Sequence, residues 1–310
     1  MTDEKYVNVQ GRLLRLSHLS KIFYPSTGFT KQNILSYYQA IAPTVLPHIA
    51  ERPFTMRRFP NGVTGSAFYE KQCPHYRQKW VSTGIFGSTN YCLVNDLPTL
   101  LWVVNLAAIE LHTTLGKIQA IELPTICVFD LDPGEGVDIR ACIEVARLLQ
   151  QLLKALGLAA FPKTSGMKGL HVILPLNSKQ GFPIVREFAR GCAEFLEQRF
   201  PDQVTAKMPK RYRPGKVYVD WQQNADFKTT TAVYSLRANE TPTVSTPLAW
   251  NELKTRRILS FETEEVLARV HKMGDLAAPA LSLVQKVPSF NKALEQHLDW
   301  EFRSKRGKVA

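Results

Sequence analysis

The chain has 310 residues, 45% of them apolar and 21% charged, which excludes a disordered polyelectrolyte and leaves room for a large buried core. Its 39 lysines and arginines outnumber 27 acids for a formal charge of +12, a balance that favours a polyanionic partner, either nucleic acid or an acidic membrane face. The opening MTDEKYVNVQ lacks the apolar centre of a secretion signal, and LLWVVNLAAIEL, interrupted by Asn105 and Glu110, is too short to span a bilayer.

Near the start, LSKIFYPSTGFTKQN sets Lys21 and Lys31 around a Pro–Gly turn ahead of a helix. Two cations beside a helix N-terminus can hold a terminal phosphate, with plain solvation as the alternative. Residues 33–50 have helical spacing that Pro43 and Pro47 are expected to interrupt. RPFTMRRF, 52–59, reads as a strand with Arg57 and Arg58 on opposite faces, one toward a nucleotide and the other toward DNA or solvent. SAFYEKQ, 66–72, reads as a loop offering Phe68 and Tyr69 to unpaired bases, although one of two adjacent aromatics is usually buried. A helix is predicted over about 97–116, which leaves His112 at its end as a structural histidine. The five cysteines (73, 92, 127, 142 and 192) are odd in number and contain no CxxC pair. They suggest neither a disulfide framework nor a zinc knuckle, and fit a reducing cytoplasm.

Strand 124–132 then drives an apolar run into FDLDPG. Residues i and i+2 of a strand project to one face, roughly 6.5–7 Å apart, so Asp130 and Asp132 stand side by side and repel unless a cation bridges them. Oxygen ligands at a strand tip suit Mg2+ or Mn2+, and paired ions roughly 3.5–4 Å apart drive phosphoryl or nucleotidyl transfer. A turn capping the next helix is the plainer reading of these two acids alone. Asp220, inside the apolar strand of GKVYVDWQQN, adds a third carboxylate and makes the pattern more specific.

Asp138 is predicted to cap the amphipathic DIRACIEVARLLQQLLKALG, which stops at Gly157. AAFPKTSG and LHVILPL read as two strands around KTSGMKG, where Gly166 and Gly169 let backbone amides turn inward on an anion. Ser165, Lys168 and His171 add donors or charge there; a structural hairpin with a satisfied core histidine is the alternative. A helix over about 183–199 is followed by strands near 203–208, 216–221 and 229–237. AKMPKRYRPGK reads as a basic hairpin, with Arg213 among five cations suited to a phosphate backbone. TTTAVYSLR alternates so that Thr229, Thr231, Val233, Ser235 and Arg237 share a face, and Arg237 can fork onto a phosphate. A last helix, about 263–273, precedes an irregular tail whose Arg303, Lys305, Arg306 and Lys308 read as a solvated end. Strands clustered in 159–237 suggest antiparallel pairing and an α+β fold rather than a doubly wound sheet.

Taken in order, RPFTMRRFPNG, FYEKQ, NDLPTLLWVVNLAAIELH, FDLDPGEG, FPKTSGMKGLHVILPL, VYVDWQQN, KTTTAVYSLRA and STPLAWNEL resemble the polymerase domain of bacterial ligase D, in the archaeo-eukaryotic primase superfamily. The resemblance runs from about residue 17 to 281. It implies an α+β primase-type core with mixed and antiparallel sheets flanked by helices. An N-terminal α/β module over 1–120 would pack on a catalytic core over 121–281, with a basic C-terminal extension over 282–310. It also implies metal-dependent nucleotidyl transfer from NTP, preferred over dNTP, to a primer 3′-hydroxyl at gaps and double-strand breaks, using two divalent ions, Mn2+ or Mg2+.

By position, the resemblance makes Asp130, Asp132 and Asp220 metal ligands, and Ser165, Lys168, His171 and Arg237 triphosphate binders. Arg57, His112 and Gln223 become neighbours of the incoming nucleotide. Lys21 and Lys31 match residues that hold a downstream 5′-phosphate, and Phe68 and Tyr69 match the aromatic pair stacked on the template. The chain departs from the family at Met167, where Gly or Ser is usual, and at Val233, which replaces a Pro. The residues after the match are too few for a ligase or nuclease domain. The expected partners are therefore broken or gapped DNA, Ku and a separate ATP-dependent ligase, at the nucleoid in the cytoplasm, with dimerisation on bridged ends left open. The rival readings are a priming polymerase, a metal-dependent nuclease and a non-catalytic end-bridging module.

Overall fold

A computed structural model describes residues 3–254 and 259–290. The chain opens with a hairpin of β1 (Glu4–Val9) and β2 (Arg12–Ser17), followed by the short pair β3 (Ile22–Tyr24) and β4 (Phe29–Thr30). Helix α1 (Lys31–Ile49) starts from Thr30, whose hydroxyl accepts from the Asn33 amide while the Asn33 side chain accepts from the Thr30 amide. It runs unbroken through Pro43 and Pro47, against expectation. Ile34, Tyr38, Ile41, Val45 and Ile49 are all buried on one face, and that burial outweighs the hydrogen bonds the prolines remove.

One sheet follows from β5 (Phe54–Arg58), β6 (Phe68–Glu70), β7 (Thr83–Phe86), β8 (Thr89–Cys92) and β9 (Ala108–Thr114), with helix α2 (Leu97–Asn105) between the last two. The helix predicted to reach residue 116 ends instead at Asn105. Ala107 adopts φ +67, and the chain leaves as β9. Every residue of β9 is buried, and an apolar run without surface has no periodicity to separate strand from helix. Phe68 and Tyr69, expected on a loop, lie on β6, paired with Arg58 and Arg57 of β5.

A small hairpin of β10 (Gly116–Lys117) and β11 (Ala120–Pro124) leads into β12 (Ile126–Pro133), then α3 (Ile139–Ala155), β13 (Phe161–Thr164), β14 (Leu170–Pro175) and α4 (Phe182–Arg199). Asp138 caps α3 by accepting from the Arg140 amide, and Gly157 beyond its end takes φ +73, as expected. The strands β15 (Val204–Thr205) and β16 (Val217–Asp220) complete a five-stranded sheet in the order β13–β14–β12–β16–β15. All its pairs are antiparallel except β15 with β16, which run parallel. The basic segment 206–216 is therefore a crossing loop and not a hairpin.

On β12 the period of two is visible: Cys127, Phe129 and Leu131 enter the main core, against which α3 and α4 pack, while Asp130 and Asp132 take the opposite face. The strand β17 (Thr229–Thr231) crosses back to join β9 and finish the first sheet in the order β17–β9–β5–β8–β7. It is three residues long, not nine, because Tyr234 turns the chain at φ +63. Helices α5 (Thr263–Met273) and α6 (Pro279–Ser282) follow. The segment after α6 is docked: Gln285 donates to Ala159 O and Pro175 O, and Phe290 packs edge-on against Phe188 and Phe195. The basic tail residues from Arg303 onward lie outside the described residues.

Cys73 and Cys92 form a disulfide, while Cys127, Cys142 and Cys192 are free and buried. This corrects the reading of the cysteines. An odd count excludes complete pairing but not a single bridge, and these two meet only because β8 returns beside the segment that follows β6. The cysteines therefore no longer argue for a reducing compartment. Among the described residues no helix is long and apolar enough to cross a membrane.

Candidate active site

Directly opposed residues of neighbouring strands face the same side of a sheet. Across the five-stranded sheet one such row reads Lys163, His171, Asp130 and Asp220, from β13, β14, β12 and β16. Asp132 is one pleat along, opposite Tyr218. The row places the three aspartates, far apart in sequence, on one face. Among the described residues no three His, Cys, Asp or Glu side chains are already closed to ligating distance.

Electrostatics mark the site as short of positive charge. Burial, then the nearby Asp132 and Asp220, pushes the Asp130 carboxyl up to about 8. Burial and Asp220 raise Asp132 too. His171 gives little relief: its Nε2 lies 3.3 Å from Asp130 Oδ1, but burial holds it well below the usual range and so neutral. The Asp220 carboxylate accepts from Tyr218 Oη, the Gln222 amide and Gln223 Nε2, so it is held in place by hydrogen bonds without a cationic partner. Lys163 and Arg237 near Asp130, and Arg213 near Asp132, do not offset the burial and mutual repulsion of these acids, and acidic oxygens so gathered are what a hard divalent cation fits.

A test follows from the sign of this shift. Asp130 ordinarily titrates near 3.8, so in chelator its ionisation costs the fold stability as pH rises from there through about 8. A divalent cation removes that cost. The rise in melting temperature on exchanging chelator for Mn2+ or Mg2+ is therefore expected to grow between pH 6 and 8.5, and to lose that growth in Asp130→Asn. A shift independent of pH, and equal in the variant, would contradict the cation site.

Beside the acids lies a pocket of about 430 Å³. Asp130, Asp132, Ser165, Lys168 and His171 line it from the five-stranded sheet and its turn; Tyr69, His112, Gln223, Thr229, Thr231 and Arg237 close it. The turn is tight. Gly166 takes φ +74, and a Cβ there would lie 2.6 Å from Arg237 Cγ. The sequence leads to the expectation of amides turned inward on an anion, but those of Met167 and Gly169 each donate to Ser165 Oγ at 3.1 Å. Ser165 thereby accepts twice and keeps its hydroxyl proton for a ligand.

Arg237 reaches the pocket although the alternation meant to carry it there ends at Thr231. Its Nη1 donates to Thr231 Oγ1 at 2.6 Å and to Ser165 O at 3.1 Å, and its Nε lies 3.3 Å from Glu110 Oε1. His112, expected at a helix end, is mid-strand on β9, with Nε2 3.0 Å from Glu110 Oε2. Arg57, one strand over, donates to both Glu110 oxygens at 3.1 Å and lies 5.4 Å over the Tyr69 ring. Neither Glu110 nor Lys163 was anticipated. Lys163 is buried with Nζ 2.5 Å from Ser245 Oγ, and burial lowers it to about 7. The Glu-x-His spacing of Glu110 and His112 was the available signal, hidden by the helical reading.

The remaining candidates lie around this centre. Phe68 and Tyr69 are both exposed, at 45% and 57%, contrary to the expectation that one would be buried; Arg58 lies 5.3 Å over Phe68. Arg213 stacks 3.8 Å over the ring of Tyr218, next to Asp220 and opposite Asp132. Lys21 and Lys31 form a separate cluster outside the pocket lining, their Nζ atoms donating to Pro60 O and Ser17 O. Burial, then the charge of Lys21, lowers Lys31 to about 8, so a nearby anion would be welcome there.

The family model described as "LigD, primase-polymerase domain" matches residues 30–277. The chain is 41% identical over 272 residues to the multifunctional non-homologous end joining protein LigD of Mycolicibacterium smegmatis, covering 86% of this chain and 36% of that one. It is 31% identical over 263 residues to the bifunctional non-homologous end joining protein LigD of Bacillus subtilis, covering 84% of this chain and 43% of that one. The chain thus spans well under half the length of these curated relatives. Among solved structures it resembles the polymerase domain from Mycobacterium tuberculosis ligase D in complex with DNA, at 39% identity and a TM-score of 0.82, covering 88% of this chain and 99% of that one.

Proposed function

The chain belongs to the LigD primase-polymerase family, and from that premise we propose that it is a DNA end-joining polymerase, adding nucleotides from NTP, in preference to dNTP, to a primer 3′-hydroxyl at gaps and double-strand breaks. The observation that carries this reading is the row that sets Asp130 opposite Asp220 beside a pocket holding Arg237, Lys168 and Ser165. When bound, divalent ions held by Asp130, Asp132 and Asp220 supply positive charge to the attacking hydroxyl and the leaving pyrophosphate.

The chain's own residues do the positioning. Lys168 and Arg237 offset triphosphate charge, and the Ser165 hydroxyl donates to it. Neutral His171 carries a single ring proton, so Nδ1, which is buried without a hydrogen-bond partner among the described residues, donates to the triphosphate only in the tautomer that leaves Nε2 bare toward Asp130. His112 and Gln223 flank the sugar and base, while Phe68 and Tyr69 offer faces to the template. Arg213 approaches the DNA backbone. Nothing here calls for a covalent enzyme intermediate; catalysis is orientation and electrostatics. The cellular setting that fits is the cytoplasmic nucleoid, with Ku and an ATP-dependent ligase as collaborators.

Lys21 and Lys31 are assigned to a downstream 5′-phosphate. Replacing both by alanine is expected to bring a preference of about tenfold for gapped DNA bearing that phosphate over 5′-hydroxyl DNA down to near unity. Extension assays on the two substrates measure it. Equal losses on both would reduce the lysines to general DNA attraction. Extension with NTP and dNTP compared in Mg2+ and Mn2+ tests the reading as a whole, and a template-only reaction separates it from a priming polymerase.

A further inference from the structure

The five-stranded sheet brings acids to the pocket; Arg57 from the other sheet and Arg237 from the chain beyond β17 converge on one carboxylate. Glu110 is 0% exposed, at a strand position where an apolar side chain would ordinarily sit. Its Oε1 accepts from Arg57 Nη1 at 3.1 Å and from the Ala238 amide at 3.0 Å, with Arg237 Nε 3.3 Å away. Its Oε2 accepts from Arg57 Nη1 at 3.1 Å and meets His112 Nε2 at 3.0 Å. A carboxylate has about four acceptor sites; Arg57, the Ala238 amide and His112 fill them, and Arg237 Nε, which makes no hydrogen bond there, adds its charge alone.

We propose that Glu110 is the positioning residue of the nucleotide pocket: one buried carboxylate that sets Arg57, His112 and Arg237 and ties the aromatic rim to the triphosphate end. Two guanidiniums against one carboxylate leave an excess positive charge beside the pocket, which Arg237 lines, so Glu110 anchors the cations without cancelling them. Without it, two arginines drawn to one point repel and swing apart. Arg57 would then leave its place over Tyr69, whose ring meets His112 edge-on with centroids 5.6 Å apart. Arg237 would lose the contact that complements Thr231 and Ser165. Burial alone would push the Glu110 carboxyl up, but the His112 hydrogen bond and the Arg237 charge outweigh it and hold it at about 2, ionised at every working pH.

This rests on the nucleotide reading of the pocket, and the test separates the two. Glu110→Gln keeps the side chain's shape and an acceptor for the Ala238 amide. Its nucleotide KM in extension on gapped DNA, and its ATP affinity measured directly with Mn2+, are expected to weaken about 10- to 100-fold, as when one charge-assisted hydrogen bond is misplaced. Affinity for the DNA is expected to stay unchanged. Combined with Arg237→Met, the losses are expected to be less than additive, because the carboxylate acts partly through that arginine. Wild-type nucleotide affinity in Glu110→Gln, parallel loss of nucleotide and DNA binding with a lowered melting temperature, or additive losses would each overturn the proposal. A wild-type chain that bound no nucleotide would instead overturn the functional reading, and this proposal with it.

Discussion

Alanine at Asp130 or at Asp220 is expected to abolish nucleotide addition, by a factor of about 10³ or more, while DNA binding persists. The two residues lie directly opposite on β12 and β16, so each substitution removes a carboxylate from the same face. Asp130 is the more buried in charge terms: burial and two neighbouring carboxylates raise it to about 8, and removing either neighbour eases that repulsion. Asp130→Ala should therefore be tolerated, with a melting temperature at or above that of the wild type in chelator, whereas Asp220→Ala also gives up the hydrogen bonds from Tyr218, the Gln222 amide and Gln223 and is expected to melt lower. Lys21 and Lys31, proposed to meet the DNA, donate to Pro60 O and Ser17 O and make no contact with these acids. Primer extension alongside a gel-shift assay on gapped DNA reads both halves of the expectation. Extension retained by both purified variants would remove the metal-ligand assignment and leave a DNA-clasping protein.

Arg237→Met is expected to cost about 10²- to 10³-fold in kcat/KM for the nucleotide, the scale of removing one preorganised donor from developing charge. The side chain is 11% exposed, and its fork is set by Thr231, Ser165 and Glu110 at once. A lysine cannot span those three partners, because an ammonium is a point charge on a flexible stem. Arg237→Lys is thus expected to recover little of the loss. Steady-state extension kinetics with varied nucleotide, at saturating gapped DNA, measure both variants. Full recovery by lysine would mean that only net charge matters at this position, and near-normal kinetics in Arg237→Met would take the residue out of the triphosphate site.

Much of the five-stranded sheet was legible from local pattern. The alternation of β12 into Asp130 and Asp132, the Asp138 cap and Gly157 stop of α3, and the glycine-bearing turn before His171 each depend on residues within a few positions of one another. The first sheet was harder. β9 is buried throughout, so its apolar run carried no period, and the helix read there concealed both the place of His112 and the role of Glu110. Likewise Arg237 was assigned to the pocket through a strand that does not extend so far; Tyr234 turns the chain, and contacts from Thr231 and Ser165 bring the guanidinium in.

By itself the amino-acid order determined the family and the α+β class, because short-range alternation, caps and motifs are written in neighbouring positions. Only the tertiary structure decided that Asp220 faces Asp130, that Cys73 meets Cys92, and that Glu110 gathers two arginines and a histidine. Those pairings depend on strand register and on how whole elements bury their apolar faces against one another, and such long-range packing leaves no periodic trace in any single stretch of chain.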